Sequence, residues 1–196
     1  MKRFFDIVAS GLGLIVLSPV FLVLAIWIKA DSKGPVFYRQ VRVGKGNKDF
    51  LLYKFRSMRP DSDKGSLITI GGRDPRITRS GYFIRKFKLD EFPQLINVFK
   101  GDMSLVGPRP EVRRYVDLYS PEQLKILEVR PGITSLASIR YRNENEILGA
   151  ANDPDRAYIE QVMPDKLKID MEYIGHDNLI NDIKIIFKTF KEIITK

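Results

Sequence analysis

The sequence predicts an α+β protein in two parts: an apolar helix at the N-terminus, and one compact domain built on a β-hairpin and several amphipathic helices. Three observations carry this. Residues Ile7 to Ile28 form an almost unbroken apolar run interrupted at Ser18-Pro19. Two β-rich stretches flank a Gly-Lys-Gly-Asn-Lys turn at residues 44–48. Later segments place apolar side chains at helical spacing behind serine, aspartate or proline start signals.

The apolar run has the length of a membrane element, since its 22 residues rise about 33 Å as a helix against a hydrocarbon core of about 30 Å. Pro19 cannot donate to the Ile15 carbonyl, which predicts a kink near Leu17-Ser18 with the Ser18 hydroxyl placed to satisfy a freed carbonyl. Cations flank both ends, Lys2 and Arg3 before and Lys29 and Lys33 after, so charge assigns no direction to a single crossing. A Pro-kinked single pass and a helix that returns to its own face both fit these residues.

Past residue 33 the pattern changes period. Pro35 to Val43 is β-rich, Gly44 to Lys48 is turn chemistry, and Phe50 to Phe55 returns as a second strand. Residues 61–76, with Gly65, Gly71-Gly72 and Pro75, read as a loop. Ser120-Pro121-Glu122-Gln123 holds a capping box and predicts a helix over 121–128, and another helix is expected after Pro154. From Asn178 to Lys196, Leu179, Ile183, Ile186, Phe187, Phe190 and Ile194 form one stripe with Lys184, Lys188 and Lys191 opposite. Such a basic amphipathic helix suits a membrane surface, and equally the outside of the domain core.

Composition narrows the chemistry. Cysteine is absent, which excludes disulfides, zinc thiolates and thiol nucleophiles, and the single histidine, His176, reads as a surface residue. Carboxylates are left to do covalent or acid–base work, with lysine and arginine to hold anions. Residues 1–100 carry 19 Lys and Arg against 8 Asp and Glu, and residues 101–196 carry 14 against 16. The basic half contains the apolar run, a pairing that suits anionic lipid or nucleotide phosphates. Nucleic acid is not expected as a partner, because a soluble binder of DNA or RNA has no use for that run. A non-catalytic scaffold on anionic lipid would also explain the charge and the apolar segment.

The residues most suited to chemistry lie in Arg85 to Val98, where Asp90-Glu91 follows three cations and precedes Pro93 and an apolar helical pattern. Pro93 belongs in a first helical turn, which makes Asp90 a natural N-cap with Glu91 complementing the helix dipole. The same position offers an ionised, exposed carboxylate among cations, able to attack phosphorus or to hold a divalent ion that bridges phosphates. In Gly107-Pro108-Arg109-Pro110 two prolines fix the backbone on either side of Arg109, a rigid display suited to an anion or to an acid such as Glu111.

The chain resembles the small monotopic phosphoglycosyl transferases of the bacterial sugar transferase family along its whole length. The resemblance rests on Lys2-Arg3-Phe4-Phe5-Asp6, Ser18-Pro19, Gly34-Pro35-Val36-Phe37, Lys54-Phe55-Arg56-Ser57-Met58, Leu89 to Leu95, Gly107 to Pro110, and Arg130-Pro131-Gly132-Ile133-Thr134, in that order and spacing. It implies transfer of a sugar-1-phosphate from a UDP-sugar to polyprenol (undecaprenyl) phosphate, with UMP released. It also implies that Asp90 is the nucleophile forming a covalent phosphosugar intermediate, that Glu91 assists, and that Mg²⁺, held at Asp90 and Glu91, neutralises the diphosphate. Lys54, Arg56, Arg85, Arg109 and Arg142 fall among its substrate-contacting cations.

For topology the resemblance implies a re-entrant membrane hairpin over 1–33, turned at Ser18-Pro19, and a cytosolic catalytic domain over 34–196. The protein would then lie on the cytoplasmic face of a bacterial inner membrane in contact with its phospholipids. Two departures stand out. Ser135-Leu136-Ala137-Ser138 replaces the common continuation after Pro-Gly-Ile-Thr, and Ile147 to Met163 is longer than in compact members.

Overall fold

The computed structural model describes residues 1–60, 62, 74–175 and 178–194. Most of the loop expected over 61–76, His176 and the Ile194 side chain lie outside the described residues. The fold is α+β, with a long N-terminal helix, two small sheets and a set of short helices.

Helix α1 (Lys2–Asp31) is long and apolar enough to cross a membrane by length and composition. Helical backbone runs unbroken through Pro19. The predicted local bond is present: Ser18 Oγ donates to the Ile15 carbonyl at 2.7 Å, satisfying the acceptor that Pro19 leaves free.

Both ends of α1 are bonded to the same globular body. At the start, Lys2 Nζ reaches Val106 O at 3.0 Å and Asp182 Oδ2 at 2.6 Å, Arg3 donates to the Val98 and Phe99 carbonyls, and Asp6 accepts from Leu105 N. At the far end Leu24 and Ile28 are buried with Phe55 and Ile84, and Asp31 accepts from the Ser80 amide and hydroxyl, each at 2.8 Å. Between them Leu12, Ile15, Val16, Leu22, Val23 and Ile26 are exposed.

Strands β1 (Phe37–Val43) and β2 (Asp49–Phe55) form the predicted antiparallel hairpin, with Phe37 opposite Phe55 and Val43 opposite Asp49. Asn97 ties β2 to helix α3 (Gln94–Lys100): fully buried, it accepts from Tyr53 N at 3.0 Å and donates to Leu51 O at 2.7 Å. Ahead of α3 lies α2 (Arg79–Lys86), capped by Thr78.

A second, parallel sheet pairs β3 (Ser104–Val106) with β4 (Gly132–Thr134). Here the Gly107-Pro108-Arg109-Pro110 and Arg130-Pro131-Gly132 motifs pack backbone against backbone. Gly132 N donates to Pro108 O and Gly107 N to Thr134 O, and a Cβ on Gly132 would lie 2.1 Å from Gly107 N. Only glycine fits there.

The remaining elements are α4 (Arg113–Val116), α5 (Leu136–Arg140), α6 (Glu144–Gly149), α7 (Pro154–Ala157), α8 (Met163–Ile174) and α9 (Leu179–Ile194). Ser120 and Gln123 form the expected capping box, with Ser120 N to Gln123 Oε1 at 2.8 Å and Gln123 N to Ser120 Oγ at 3.2 Å, and lead into a 3-10 helix at Gln123–Glu128. Ser135 caps α5, accepting from Ser138 N. The Ile147 to Met163 segment includes α7, capped by Asp153, and a π-helical turn at Tyr158–Val162.

Helix α9 packs on the core through Asp182, Ile185 and Ile186. The predicted stripe is therefore divided: Ile186 faces inward, while Phe187 and Phe190 are exposed with Ile180.

Candidate active site

Strand β2 ends in Lys54-Phe55-Arg56, and its two cations go to different places. Phe55 enters the core under α1, its ring 5.1 Å from Phe21 and 5.4 Å from Phe37. Lys54 Nζ points the other way and meets Glu91 Oε1 at 3.1 Å. Arg56 is buried and donates to the Ile28, Ser32 and Lys33 carbonyls, closing the C-terminal end of α1 where a cation complements the helix dipole. Gly34 makes room for it: its φ is +129°, and a Cβ would sit 1.9 Å from an Arg56 nitrogen.

The chain leaves α2 through Lys88, which adopts the left-handed conformation at φ 57°, and forms a 3-10 turn over Leu89–Glu91. Asp90 is therefore not the N-cap of α3, as its position before Pro93 suggested. The turn itself consumes the main-chain donors, with Glu91 N to Lys88 O, Phe92 N to Leu89 O and Leu95 N to Phe92 O, and Pro93 occupies the cap position. Asp90 is also buried, at 8 % exposure, where an exposed carboxylate was expected.

The two adjacent carboxylates sit in opposite environments. Arg109 grips Glu91 at two points, 2.7 Å from Nη2 to Oε1 and 3.5 Å from Nη1 to Oε2, and Lys54 adds the third contact. Burial pushes Glu91 up, but Arg109 and Lys54 outweigh it and hold the carboxyl well below the usual carboxylate range. Asp90 accepts no hydrogen bond from any described residue. Burial and then the Glu91 charge raise its pKa, against the weaker pull of Lys54, Arg85 and Lys88. Lys54 is itself lowered, by burial first and by Arg109 and Arg42 against the attraction of Glu91 and Asp90.

These contacts sort the metal-binding capacity. Glu91 has its charge balanced by Arg109 and Lys54, with two of the three contacts on Oε1. Asp90 keeps both oxygens, and Mg²⁺ characteristically binds through one or two carboxylates together with substrate phosphates. Asp90 fits that pattern. Among the described residues no cluster of three acidic or histidine side chains forms a closed metal cage.

Of the predicted cations, Lys54 and Arg109 meet at Glu91 and Arg85 is within electrostatic reach of Asp90. Arg56 is committed to α1. Arg142 pairs with Glu192 on α9, and no contact joins it to the carboxylates.

Three further residues brace the loop that carries Arg109. Arg42 donates to Pro110 O at 2.9 Å and to Glu111 Oε2 at 3.3 Å, and the Tyr158 hydroxyl donates to the other Glu111 oxygen. Tyr158 opens the π-helical turn, a feature enriched at functional sites. Sequence reasoning missed this brace; the π turn lies within the Ile147 to Met163 segment.

Comparison with known proteins identifies the family. The family model described as bacterial sugar transferase matches residues 1–196. A UDP-N-acetylgalactosamine-undecaprenyl-phosphate N-acetylgalactosaminephosphotransferase of Aeromonas hydrophila is 42% identical over 198 residues, covering 100% of this chain and 44% of that protein. A UDP-glucose:undecaprenyl-phosphate glucose-1-phosphate transferase of Caulobacter vibrioides is 36% identical over 198 residues, 99% of this chain and 70% of that protein. The exopolysaccharide production protein PSS of Rhizobium leguminosarum is 39% identical over 203 residues, 100% of this chain and 96% of its own length. A family match over residues 1–196 and relatives 36–42% identical along the chain show where it stands: it belongs to the bacterial sugar transferase family.

Proposed function

We propose that the protein transfers a sugar-1-phosphate from a UDP-sugar to polyprenol phosphate, in the first membrane step of a surface glycan. One observation carries this reading: Asp90 is a buried carboxylate with unengaged oxygens beside a Glu91 immobilised by Arg109 and Lys54. The relatives' names, which specify UDP-sugars and undecaprenyl phosphate, support the substrate classes.

A carboxylate oxygen of Asp90 attacks the phosphorus that bears the sugar. The bond from that phosphorus to the bridging oxygen breaks, UMP departs, and the sugar phosphate is left on Asp90. An oxygen of the polyprenol phosphate then attacks the same phosphorus, releases the Asp90 carboxylate and yields polyprenol diphosphate sugar. The fixed cations do most of the remaining work, since phosphoryl transfer depends chiefly on positioning and charge neutralisation. Glu91 holds Arg109 and Lys54 in place, and Arg85 and Lys88 face the incoming phosphates. Mg²⁺ held by Asp90 and the diphosphate would neutralise developing charge on the leaving UMP.

The lipid acceptor requires a site at the bilayer surface. We place both ends of α1 on the cytoplasmic face, a monotopic re-entrant arrangement, because Lys2, Arg3 and Asp6 at one end and Ile28 and Asp31 at the other bond to the same domain. The chain has no cysteine, so Phe4→Cys and Lys33→Cys give clean reporters. Labelling of both from the cytoplasmic side is expected; labelling from opposite sides would sink the topology.

The activity is tested on detergent-purified protein with a panel of UDP-sugars, polyprenol phosphate and Mg²⁺. UMP release and an intact-mass gain of one sugar phosphate, both lost in Asp90→Asn, are expected. No release with any donor would leave a lipid-binding scaffold as the better account.

A further inference from the structure

Trp27, Phe83 and Phe87 form a continuous row of rings across the joint between α1 and α2. The Trp27 and Phe83 centroids are 5.3 Å apart and those of Phe83 and Phe87 4.6 Å. All three rings remain open, at 39%, 42% and 47% exposure. Phe83 and Phe87 stand four residues apart, so the last turn of α2 stacks them on one face. Three exposed aromatics in contact make an apolar patch left open by the described residues, the usual mark of a surface that meets another apolar body.

The row has direction. It starts within the apolar run of α1 and stops one residue short of Lys88, whose left-handed backbone turns the chain into Asp90. Its charges are of one sign: residues 79–89 include Arg79, Arg85, Lys86 and Lys88 and no acid. Lys86 Nζ lies 5.6 Å from the Phe87 ring centroid, and Lys88 is exposed. An apolar track that ends in cations beside a free carboxylate complements a molecule with a hydrocarbon tail and an anionic head.

We propose that Trp27, Phe83 and Phe87 seat the first isoprene units of the polyprenol phosphate acceptor, with Lys86 and Lys88 receiving its phosphate next to Asp90. This rests on the transferase reading above and adds the path by which the lipid enters. Unsaturated isoprene units lie flat on aromatic faces, and the row orients the chain so that the phosphate reaches the Asp90-bound sugar phosphate from the membrane side. A seat for the acceptor alone leaves the donor half of the reaction untouched, so the two halves separate in the test.

The test uses the full chain in detergent micelles, with Phe83→Ala, Phe87→Ala and their combination, and Phe83→Leu/Phe87→Leu as a control for volume. Four quantities are read: the UMP burst without acceptor, kcat and KM for a long polyprenol phosphate, the melting temperature, and association with phosphatidylethanolamine–phosphatidylglycerol vesicles. The alanine pair is expected to raise acceptor KM at least about tenfold with the burst, kcat and vesicle association kept, and the leucine pair to recover part of the loss. An unchanged KM in a folded alanine pair overturns the seat. Loss of vesicle association with normal KM in micelles also overturns it and makes the row a contact to bulk phospholipid. A wild type with no UMP burst overturns the transferase reading, and the seat with it.

Discussion

Arg109 and Glu91 are joined at two points, with Nη2 2.7 Å from Oε1, and prolines on either side fix the Arg109 backbone that makes that contact. The pair spends its charge internally. The contrast is with Asp90, which shares the turn with Glu91 and accepts no hydrogen bond from any described residue.

Asp90→Asn should abolish UMP release and at the same time stabilise the fold. A carboxyl whose pKa is raised in the folded protein contributes stability below its unfolded pKa and loses it as pH rises through the folded value. At pH 7 the ionised form therefore opposes folding, and an amide of the same shape removes that cost. A melting temperature above wild type by a few degrees is expected from thermal unfolding; a lower one would contradict the burial argument.

The same shift fixes the acid side of the pH profile. Asp90 must be ionised to attack, so the UMP burst rate should fall with decreasing pH through a midpoint above the ordinary aspartate value of about 3.9. Glu91, held low, stays charged throughout that range. Single-turnover quench measurements from pH 4 to 8 would show it.

Arg109→Lys and Glu91→Gln test the clamp. Lysine gives one contact where the guanidinium gives two, and glutamine leaves Lys54 and Arg109 without a counter-charge. Breaking one partner of an ion pair of this kind is expected to cost up to about 3 kcal/mol of stability in Glu91→Gln. Both variants should slow the burst by about a hundredfold or more, and the double variant should lose much less than the sum, since the two residues act as a unit.

Gly132→Ala should be severe although it touches no substrate. Its Cβ would meet Gly107 N at 2.1 Å, so the loops carrying Arg109 and Arg130 must separate. Destabilisation of about 3 kcal/mol or more by urea titration is expected, with activity lost in proportion.

What was legible in the sequence was local. Ser18 reaching back to Ile15, the Ser120–Gln123 capping box, the hairpin around Gly44 to Lys48 and the rigid display of Arg109 all depend on residues within a few positions of one another. Arg56 and Arg142 look alike in sequence as spare cations, yet one closes α1 and the other pairs with α9, because their partners lie 23 to 50 residues away and leave no periodic trace. Asp90 was misplaced for a related reason. Its neighbours suggested a cap, while its burial depends on how the 3-10 turn packs against the rest of the domain.

The bond from Lys2 to Asp182 spans 180 positions. A ribosome adding about 5–20 residues per second makes the first of these roughly 10–40 s before the second. For that interval the apolar helix exists without the acid that will moor its first turn, so the tie between Lys2 and Asp182 can close only after the intervening 180 positions have been made.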